Sequence, residues 1–417
     1  MTNKITKIPQ NNPAENLLKD MSLDAILKEG ARKLLQVAIE NEIDEHLEKF
    51  RSLRDSEGKQ LVTRNGHMPE REIQTGVGPV KVKRPRIDDR ALSDEERFAS
   101  IILPPYIRRA PSIDALVPLL YLKGVSTNDF PTALSAILGP EAKGLSSSTV
   151  VRLKSIWEEN YRKWSNRSLE NKQYVYFWVD GIHFNVRLDD ERICILVVIG
   201  ADAEGNKELI AVSDGYRESK IAWKELLLDL RRRNLSIDPK LVIGDGALGF
   251  WAASREVYGE STQEQRCWVH KTANILDKMP KSIQSKAKSN IHEMYMAETK
   301  KDALKAYDHF VASYEEKYPK AVDCLQKDKD QLFTFYDFPA VHWQHIRTTN
   351  PIESTFSTIR LRTKKTRGCG SRLATLTMVF KLAEEAQKGW RKLRGYKMIT
   401  HVINGEKFID GELKMAA

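Results

Sequence analysis

Three acidic residues, Asp180, Asp245 and Glu353, occur where carboxylates could act together on divalent cations. The first two each end an apolar run, YVYFWVD and LVIGD, and the third lies in the segment NPIEST. Carboxylate oxygens are the ligands that hard cations prefer, and three converging acids suffice for a pair of Mg²⁺ or Mn²⁺ ions. Such a pair catalyses phosphoryl transfer, because one ion activates the attacking oxygen and the other stabilises the leaving oxygen. The pattern therefore favours a metal-dependent phosphoryl-transfer site.

These acids also have simpler interpretations. Asp202 and Asp214 follow apolar segments too, so an aspartate after a strand is common in this chain. With Asn350 as the N-cap and Pro351 as the first helical residue, Glu353 would be the third residue, where it completes a capping box. The local sequence leaves catalysis and capping both open.

The elements that must position these acids begin at Tyr174. Three strand-like segments, YVYFWVD, ICILVVIGAD and KELIAVSDG, are followed by a helical stretch, the strand LVIGD, a short helix and the strand QRCWVH. This order, β-β-β-α-β-α-β, is found in ribonuclease-H-like folds, in which the first and fourth strands are neighbours. Asp180 and Asp245 would then lie side by side at the carboxyl ends of those strands, where α/β sheets place their sites. The fold analogy supplies the adjacency, and the sequence supplies only the two strand-end acids.

The predicted fold class is α/β, a ribonuclease-H-like catalytic core interrupted by an all-α insertion domain and preceded by N-terminal helical and hairpin modules. The predicted boundaries are a flexible tail at 1–12, a helix plus β-hairpin domain at 13–90, a helix-turn-helix domain at 91–170, the first part of the core at 171–270, the helical insertion at 271–345, the second part of the core at 346–400 and a C-terminal tail at 401–417.

The N-terminal modules contain candidate DNA-binding residues. Apolar residues recurring from Ser22 to about Glu48 predict a helix, which could pack on a core or on a second copy of the chain. Residues 70–86 alternate around two glycines and predict a hairpin. Its far strand would project four basic side chains, which could contact phosphate or protect a sheet edge. A Gly-Pro break followed by a serine cluster predicts a helix-turn-helix, although short helix pairs are common in any α-rich chain. The candidate residues are Lys81, Lys83, Arg84 and Arg86 in the hairpin, and Ser147, Thr149, Arg152 and Lys154 in the second helix.

The positive charge is concentrated in one segment. Residues 341–400 contain 13 Lys and Arg against 3 Asp and Glu, whereas the rest of the chain has 54 of each, so this segment carries the whole net charge of +10. A basic block of this kind typically binds polyanions, because each Lys or Arg that meets a phosphate releases condensed counterions. It could also be a solvated face. The residues expected to contact DNA phosphates here are Arg362, Lys364, Lys365 and Arg367.

Composition excludes several classes of protein. With 417 residues, 30% of them charged and 41% hydrophobic, the chain is neither disordered nor a membrane protein. The longest apolar run, from Ile193 to Ala201, is about half of what spans a bilayer. The first 13 residues have neither the apolar core nor the cleavage site typical of a secretory signal, so we expect none. The four cysteines lack framework spacing, which suits a reducing compartment. We expect a cytoplasmic, nucleoid-associated protein without membrane contacts.

Several longer motifs carry a family resemblance. The stretches WVDG, DGYRES, IGDGALGFW, QRCWVHKTANIL, LFTFYDFPAVHW, RTTNPIESTFSTIRLRT and AQKGWRKL, in this order, together resemble the Mutator-type insertion-sequence transposases, a bacterial branch of the DDE recombinases. The likeness runs from about residue 60 to 412. It implies a ribonuclease-H-like domain with a helical insertion between the second Asp and the Glu. By position in the motifs, Asp180, Asp245 and Glu353 would be the catalytic, metal-binding acids that hold two Mg²⁺ or Mn²⁺ ions.

The resemblance also implies accessory residues near the site. The family has a Cys or Asp, two further residues and a His after the second Asp, which Cys267 and His270 match. Two ligands at this spacing are half of a zinc site, and no neighbouring Cys/His pair completes it, so we expect hydrogen bonding and packing near the strand end. The family's basic residue seven positions after the Glu is Arg360 here, on the same helix face and well placed for a DNA phosphate.

The resulting hypothesis is a DNA transposase. It would bind the terminal inverted repeats of its insertion sequence, cut the element end and join the freed 3′ hydroxyl to target DNA. A homodimer or higher homo-oligomer is expected, because two ends must be brought together. Two alternatives stay open: a ribonuclease-H-like, structure-selective nuclease or resolvase that uses the same metals without strand transfer, and a non-catalytic DNA-binding protein derived from a transposase. The presence of all three acids disfavours the second alternative.

We expect the basic block to hold DNA without reading its sequence, because phosphate contacts orient a duplex but do not specify it. Neutralising Lys364, Lys365 and Arg367 together should weaken binding to specific and random duplexes by similar factors. The log–log salt slope should fall by roughly 0.9 for each phosphate that the protein no longer neutralises. Fluorescence anisotropy at several salt concentrations measures both quantities. An unchanged slope would mean that the block is a solvated face.

Overall fold

A computed structural model describes residues 21–113, 129–138, 147–185, 192–215, 218–366 and 371–414, together with the single positions 116, 120 and 125. The chain forms two compact units, which divide between residues 151 and 152. Within the described ranges, no helix is both long enough and apolar enough to cross a membrane.

The first unit combines helices with two small sheets. Its described elements are α1 (Leu23–Lys49), β1 (Thr63–His67), β2 (Arg71–Thr75), β3 (Gly78–Val82), β4 (Pro85–Asp88) and α2 (Phe130–Leu138). β1 pairs with β4 and β2 with β3, each antiparallel, so these four strands form two separate two-stranded sheets.

Helix α1 begins where the sequence predicts. Ser22 is the N-cap, and its hydroxyl accepts the Ala25 N–H at 3.3 Å. Ile39 and Ile43 are completely buried and pack with apolar residues of β2 and β3. Leu34, in contrast, is 74% exposed. The stripe that faces the core therefore runs through the two isoleucines and excludes this leucine.

The predicted hairpin forms from β2 and β3, but it is shorter than expected. β3 ends one residue before Lys83, so Lys83 and Arg84 lie in the connection to β4, and Arg86 lies in the other sheet. Of the four basic residues, Lys81 lies on the hairpin strand, where its Nζ is 3.8 Å from the Glu70 carboxylate. The prediction that all four project from one strand is wrong, because the chain changes sheets among them.

The predicted helix-turn-helix falls partly outside the described residues. α2 and α3 (Ser147–Ser165) are helical, but the connection at 139–146 and the side chains of Ser147 and Thr149 are not described. Arg152 is exposed on α3, and Lys154 is half-buried. The DNA-binding role of this helix pair stays a prediction.

The second unit contains a five-stranded sheet and most of the helices. Its strands are β5 (Tyr174–Asn185), β6 (Arg192–Asp202), β7 (Lys207–Gly215), β8 (Leu241–Gly244), β9 (Gln263–Arg266), β10 (Phe408–Ile409) and β11 (Glu412–Leu413). Its helices after α3 are α4 (Lys220–Arg232), α5 (Leu248–Tyr258), α6 (Trp268–Leu276), α7 (Lys281–Met296), α8 (Lys300–Tyr314), α9 (Pro319–Gln326), α10 (Lys329–Leu332), α11 (Trp343–Ile346), α12 (Asn350–Thr366), α13 (Arg372–Gln387) and α14 (Ile399–Ile403). Short 3₁₀ helices span Gly259–Ser261, Thr334–Asp337, Ala340–His342 and Tyr396–Met398.

The large sheet has the strand order β7-β6-β5-β8-β9. β5, β6 and β7 are antiparallel neighbours, whereas β8 runs parallel to β5 and β9 parallel to β8. The predicted adjacency of the first and fourth strands is therefore confirmed. Helix α4 connects β7 with β8, and helix α5 connects β8 with β9.

Both faces of this sheet are buried, which explains the near-continuous apolar sequence of its strands. Along β5, Val179 packs with residues of α4 and α5 in the main apolar core. Alternate residues face the other side, where the Tyr176 hydroxyl is 2.8 Å from His342 Nδ1 and Trp178 Nε1 donates to the His345 carbonyl. The segment that ends at α11 therefore covers the second face of β5.

Residues 271–345, all of them described, contain helices and connections but no strand, as the sequence predicts. A buried charge cluster ties this region to the sheet: Asp328 accepts from Lys271 Nζ at 2.7 Å and from Arg266 Nε at 3.1 Å. The two basic side chains are only 2% and 5% exposed. Their shared carboxylate compensates for the loss of water, and removing it would leave two buried charges unpaired.

The sequence predicts a tail at 401–417, but the described residues up to 414 instead complete α14 and form the β10–β11 hairpin. Phe408 is buried. The Ala340 N–H donates to the Gly411 carbonyl, and the Gly411 N–H donates to the Tyr336 carbonyl. These contacts are distant in sequence, and strands of two residues carry too little periodicity to predict.

Gly200 lies inside the large sheet, where an added Cβ would overlap Ile210 and come 2.8 Å from Tyr174 Cδ1. We expect Gly200→Ala to destabilise the second unit by about 1–3 kcal/mol, the usual cost of overpacking a closed core. Gly30→Ala is the control, because nothing lies within 4 Å of the corresponding Cβ. Urea denaturation measures both variants, and a wild-type midpoint for Gly200→Ala would contradict the packing described.

Candidate catalytic site

Asp180 and Asp245 lie at equivalent positions on neighbouring parallel strands. β5 and β8 pair through Trp178 and Ile243, and each aspartate follows two residues later. Asp180 is buried, and its Oδ1 accepts the Gly181 N–H at 2.8 Å. The strand register therefore brings the two acids to the same end of the sheet.

The loop after β8 fixes the second aspartate. Asp245 Oδ1 accepts the Ala247 N–H at 2.9 Å, which shapes the turn into α5. Gly246 has a φ of +88°, where a side chain would be strained, and an added Cβ would overlap the Arg266 side chain. The turn thus requires glycine at this position.

The two aspartates interact electrostatically. Burial, followed by the charge of Asp245, raises the pKa of Asp180 to about 7, whereas His270 and Arg360 lower it. Neighbouring carboxylates in a buried site repel one another, so their full ionisation requires a compensating positive charge. The pair therefore has the charge and the oxygen donors that suit a hard cation.

Glu353 belongs to helix α12. The Thr349 carbonyl accepts the N–H groups of Ile352 and Glu353 at 2.9 and 3.0 Å, so the helix begins one residue earlier than predicted. Asn350 is therefore the first helical residue rather than the N-cap, and Glu353 is the fourth residue rather than the third. The capping-box alternative is wrong, since the Asn350 N–H donates to Thr348 Oγ1 at 3.4 Å.

Thr349 connects the third acid with Cys267. Its hydroxyl is 3.1 Å from Glu353 Oε1 and 3.3 Å from Cys267 Sγ, and its backbone N–H donates to the same sulfur at 3.3 Å. The Cys267 N–H in turn donates to the carbonyl of Gly244 at 2.8 Å, directly before Asp245. A chain of hydrogen bonds thus runs from the end of β8 through Cys267 to the start of α12.

His270 lies between the sulfur and the carboxylates. Its Nδ1 is 3.7 Å from Glu353 Oε1 and 3.4 Å from Thr349 Oγ1. Its interaction with Cys267, together with the charges of Asp180 and Glu353, raises the pKa of His270 to about 9 in spite of burial. Burial by itself would raise the pKa of the Cys267 thiol, but His270 outweighs burial and lowers it. Both shifts favour the protonated imidazole beside the acids.

Two groups of three potential metal ligands have all their donor atoms within 4.8 Å of one another among the described residues. The groups are Cys267, His270 and Glu353, and His183, Cys194 and Glu218. Neither group contains Asp180 or Asp245. The three predicted acids therefore form no compact three-carboxylate cluster, although they lie in the same region of the structure. Sequence analysis missed the second group, although the DGYRES motif that includes Glu218 was an available signal.

The predicted phosphate contacts of this unit follow Glu353 along α12. Arg360 is exposed, and its positive charge lowers the pKa of Asp180. Its guanidinium carbon is 5.8 Å from the centre of the Phe356 ring. The side chains of Arg362, Lys364 and Lys365 are not described, and Arg367 lies outside the described residues. Arg360 is thus a predicted DNA contact within electrostatic reach of the acids.

Comparison with known proteins identifies the class. The family model described as "Transposase, Mutator family" matches residues 4–393. The chain belongs to the Mutator family of transposases, which are enzymes that cut DNA and transfer its strands. The family resemblance carried by the sequence motifs is confirmed.

Individual relatives agree with this assignment. The transposase for insertion sequence element IS6120 of Mycolicibacterium smegmatis is 51% identical over 298 residues, which cover 72% of this chain and 91% of that protein. The transposase for insertion sequence element IST2 of Acidithiobacillus ferrooxidans is 51% identical over 286 residues, which cover 67% and 94%. A chain of the simian T-cell lymphotropic virus intasome in complex with PP2A regulatory subunit B56 gamma is 11% identical to this chain. The match covers 51% of this chain and 63% of that chain, and its TM-score of 0.18 is too low to assign a fold.

Removing the Thr349 hydroxyl should slow DNA cleavage without unfolding the protein. Valine keeps the shape of threonine but cannot donate to Glu353 or Cys267. Glu353 is a predicted metal ligand, and losing a group that orients a metal ligand usually costs 10–100-fold. We therefore expect about 10-fold slower cleavage for Thr349→Val and a nearly wild-type rate for Thr349→Ser.

The matched control is Thr377→Val, which removes another buried hydroxyl, one that donates to the Leu373 carbonyl within α13. Cleavage rates on the same DNA are compared after circular dichroism has verified folding. Equal losses in both valine variants would attribute the effect to general destabilisation and would contradict a specific role for Thr349.

Proposed function

We propose that this protein is an insertion-sequence transposase of the DDE type, in which Asp180, Asp245 and Glu353 form the catalytic site on a ribonuclease-H-like core. The observation that carries the proposal is the register of β5 and β8, which brings two aspartates to neighbouring strand ends in a chain of a transposase family. The strand order β7-β6-β5-β8-β9 is the order expected of such a core. The helical region at 271–345 would then be the insertion that separates the second aspartate from the glutamate.

Two Mg²⁺ or Mn²⁺ ions are the proposed cofactors. The donors suit hard cations because they are carboxylate oxygens. Burial and the neighbouring charge of Asp245 raise the pKa of Asp180, and a bound cation would oppose both effects. Asp180, Asp245 and Glu353 would hold the ions. When bound, the ions supply Lewis-acid stabilisation of the charge on the phosphate oxygens.

The chain's own cationic groups would position the DNA. Arg360 would bind a phosphate next to the acids, since it lies two helical turns beyond Glu353 on α12. His270 would place a second positive charge close to the reacting phosphate, and Thr349 would hold the Glu353 carboxylate in position. The basic residues proposed to extend these contacts along the DNA backbone are Arg362, Lys364, Lys365 and Arg367.

The proposed reaction comprises two phosphoryl transfers on nucleoid DNA in the cytoplasm. Hydrolysis at the element end frees a 3′ hydroxyl, and that hydroxyl then attacks a phosphodiester of the target. The modules at 13–90 and 91–170 would recognise the terminal inverted repeats, and a homodimer or higher homo-oligomer would bring two ends together. Relatives of 51% identity that are named transposases of insertion sequence elements support this proposal.

Replacing any one of the acids should abolish cleavage while leaving DNA binding nearly intact, because ligands of catalytic ions act in the chemical step. Asp180→Asn, Asp245→Asn and Glu353→Gln preserve the size of each side chain and an oxygen acceptor, including the acceptor for Thr349. The purified variants are incubated with labelled element ends and Mg²⁺ or Mn²⁺, and both nicked and joined products are measured.

Asp202→Asn is the matched control for these variants. Asp202 also ends an apolar strand, but its carboxylate accepts the backbone N–H groups of Glu204 and Asn206 in a turn, so we expect wild-type cleavage. A Glu353→Gln variant that cleaves at the wild-type rate would refute the catalytic assignment. If the wild-type protein forms nicked products but no joined products, the result would favour a nuclease over a transposase.

A further inference from the structure

The DGYRES motif, residues 214–219, has no role in the catalytic site proposed above. Its Glu218 precedes α4, whose N-cap Ser219 accepts the Ala222 N–H at 3.2 Å. Near the start of α5, a Cβ added to Gly249 would come 2.7 Å from the Lys220 nitrogen and 3.2 Å from the Glu218 carbonyl oxygen. The backbone of Glu218 is thus held where the first turns of two helices meet.

Gly181, the residue after Asp180, leaves the space next to the Glu218 side chain. A Cβ at Gly181 would lie 3.0 Å from Glu218 Cδ, 3.1 Å from its Oε2 and 3.0 Å from Cys194 Sγ. Gly181 is not among the glycines with a positive φ, so its backbone conformation does not require glycine. Glycine is therefore required at position 181 because a larger residue has no space there. The Glu218 carboxylate lies against the backbone of β5 at this residue, which directly follows Asp180.

The Glu218 carboxylate also belongs to the same electrostatic environment as the aspartates. Its side chain is 18% exposed, and burial, followed by the charges of Asp245 and Asp180, raises its pKa to about 7. His183 Nε2 lies 4.0 Å from Glu218 Oε2. Glu218 therefore shares one electrostatic environment with Asp180 and Asp245.

A buried indole donor lies near this carboxylate. The Trp223 side chain is completely buried and lowers the pKa of Glu218, yet its Nε1 completes no hydrogen bond of normal geometry within the described part of the chain. A buried N–H group needs an acceptor, and the Glu218 carboxylate is the acceptor with which it interacts. Glu218 therefore has both a potential donor and two aspartates in its surroundings.

We propose that Glu218 is a fourth acid of the catalytic site, a positioning residue that accepts a hydrogen bond from water on a bound cation through the gap at Gly181. Mg²⁺ keeps several of its waters in protein sites, and the groups that hold this outer layer influence the affinity of the site. The Trp223 N–H would orient the carboxylate by donating to one of its oxygens. This inference rests on the proposed function, because it assumes that Asp180 and Asp245 bind the cation.

Cation affinity, measured without DNA, tests the inference. Mn²⁺ binding to the full-length protein is followed by electron paramagnetic resonance of the free ion. We expect about 10-fold weaker binding for Glu218→Gln, and a similar loss for Gly181→Ala, whose methyl group would displace the carboxylate. Glu225→Gln is the matched control, because Glu225 is exposed on α4, and its affinity should equal that of the wild type.

A second measurement separates positioning from structural support. Without cations, the melting temperature of Glu218→Gln should equal or exceed that of the wild type, because the substitution removes one of several crowded negative charges. A residue that only supports packing would lower the melting temperature when replaced. Weaker cation binding together with a lowered melting temperature would therefore overturn the positioning role.

The remaining outcomes distinguish this inference from the proposed function. Unchanged Mn²⁺ affinity in Glu218→Gln, with weaker binding in Asp180→Asn, would overturn the role of Glu218 alone. Unchanged affinity in both variants would overturn the catalytic site as well. If Glu218→Gln weakens the binding of Zn²⁺ but not that of Mn²⁺, the inference would be overturned. Glu218 would then belong to a transition-metal site with His183 and Cys194.

Discussion

The hydrogen bonds around Cys267 hold the proposed catalytic region together. The Cys267 N–H binds the Gly244 carbonyl at the end of β8, and its sulfur accepts from Thr349, 82 residues later in the sequence. Each partner is close to an acid: Gly244 precedes Asp245, and the Thr349 hydroxyl contacts Glu353. The buried thiol therefore sets the relative position of the second and third carboxylates. A small, weakly polar group suits this place, because it tolerates burial better than a carboxylate would.

The proposed catalytic region combines crowded negative charge with nearby basic side chains. Burial raises the pKa of Asp180 and of Glu218. The charge of Asp245 raises both values further, and the charge of Asp180 also raises that of Glu218. His270 and Arg360 act in the opposite direction on Asp180. The balance leaves these acids more easily protonated than in water, so cation binding and the ionisation of the acids are coupled.

Much of this arrangement could be predicted from local sequence patterns. Apolar runs that end in Asp180 and Asp245 are visible in the sequence, and the analogy with ribonuclease-H-like folds supplies their adjacency. The start of α12 could not be placed, because Thr349 and Asn350 are both good caps and the choice depends on a contact with Cys267, which is distant in sequence. The DGYRES motif draws attention to Glu218, but its position beside β5 could not be predicted, because that approach depends on the space left at Gly181.

The two ends of the helical region between Cys267 and Thr349 meet beside the proposed catalytic site. The Trp268 N–H donates to the Arg347 carbonyl at 3.0 Å, so the two ends of the region are bound to each other. The entropy of closing a loop grows only with the logarithm of its length, and doubling the length costs about 0.6 kcal/mol. Residues inserted between the helices would therefore cost little chain entropy, provided that contacts of the region with the sheet, such as that of Asp328 with Arg266, are kept.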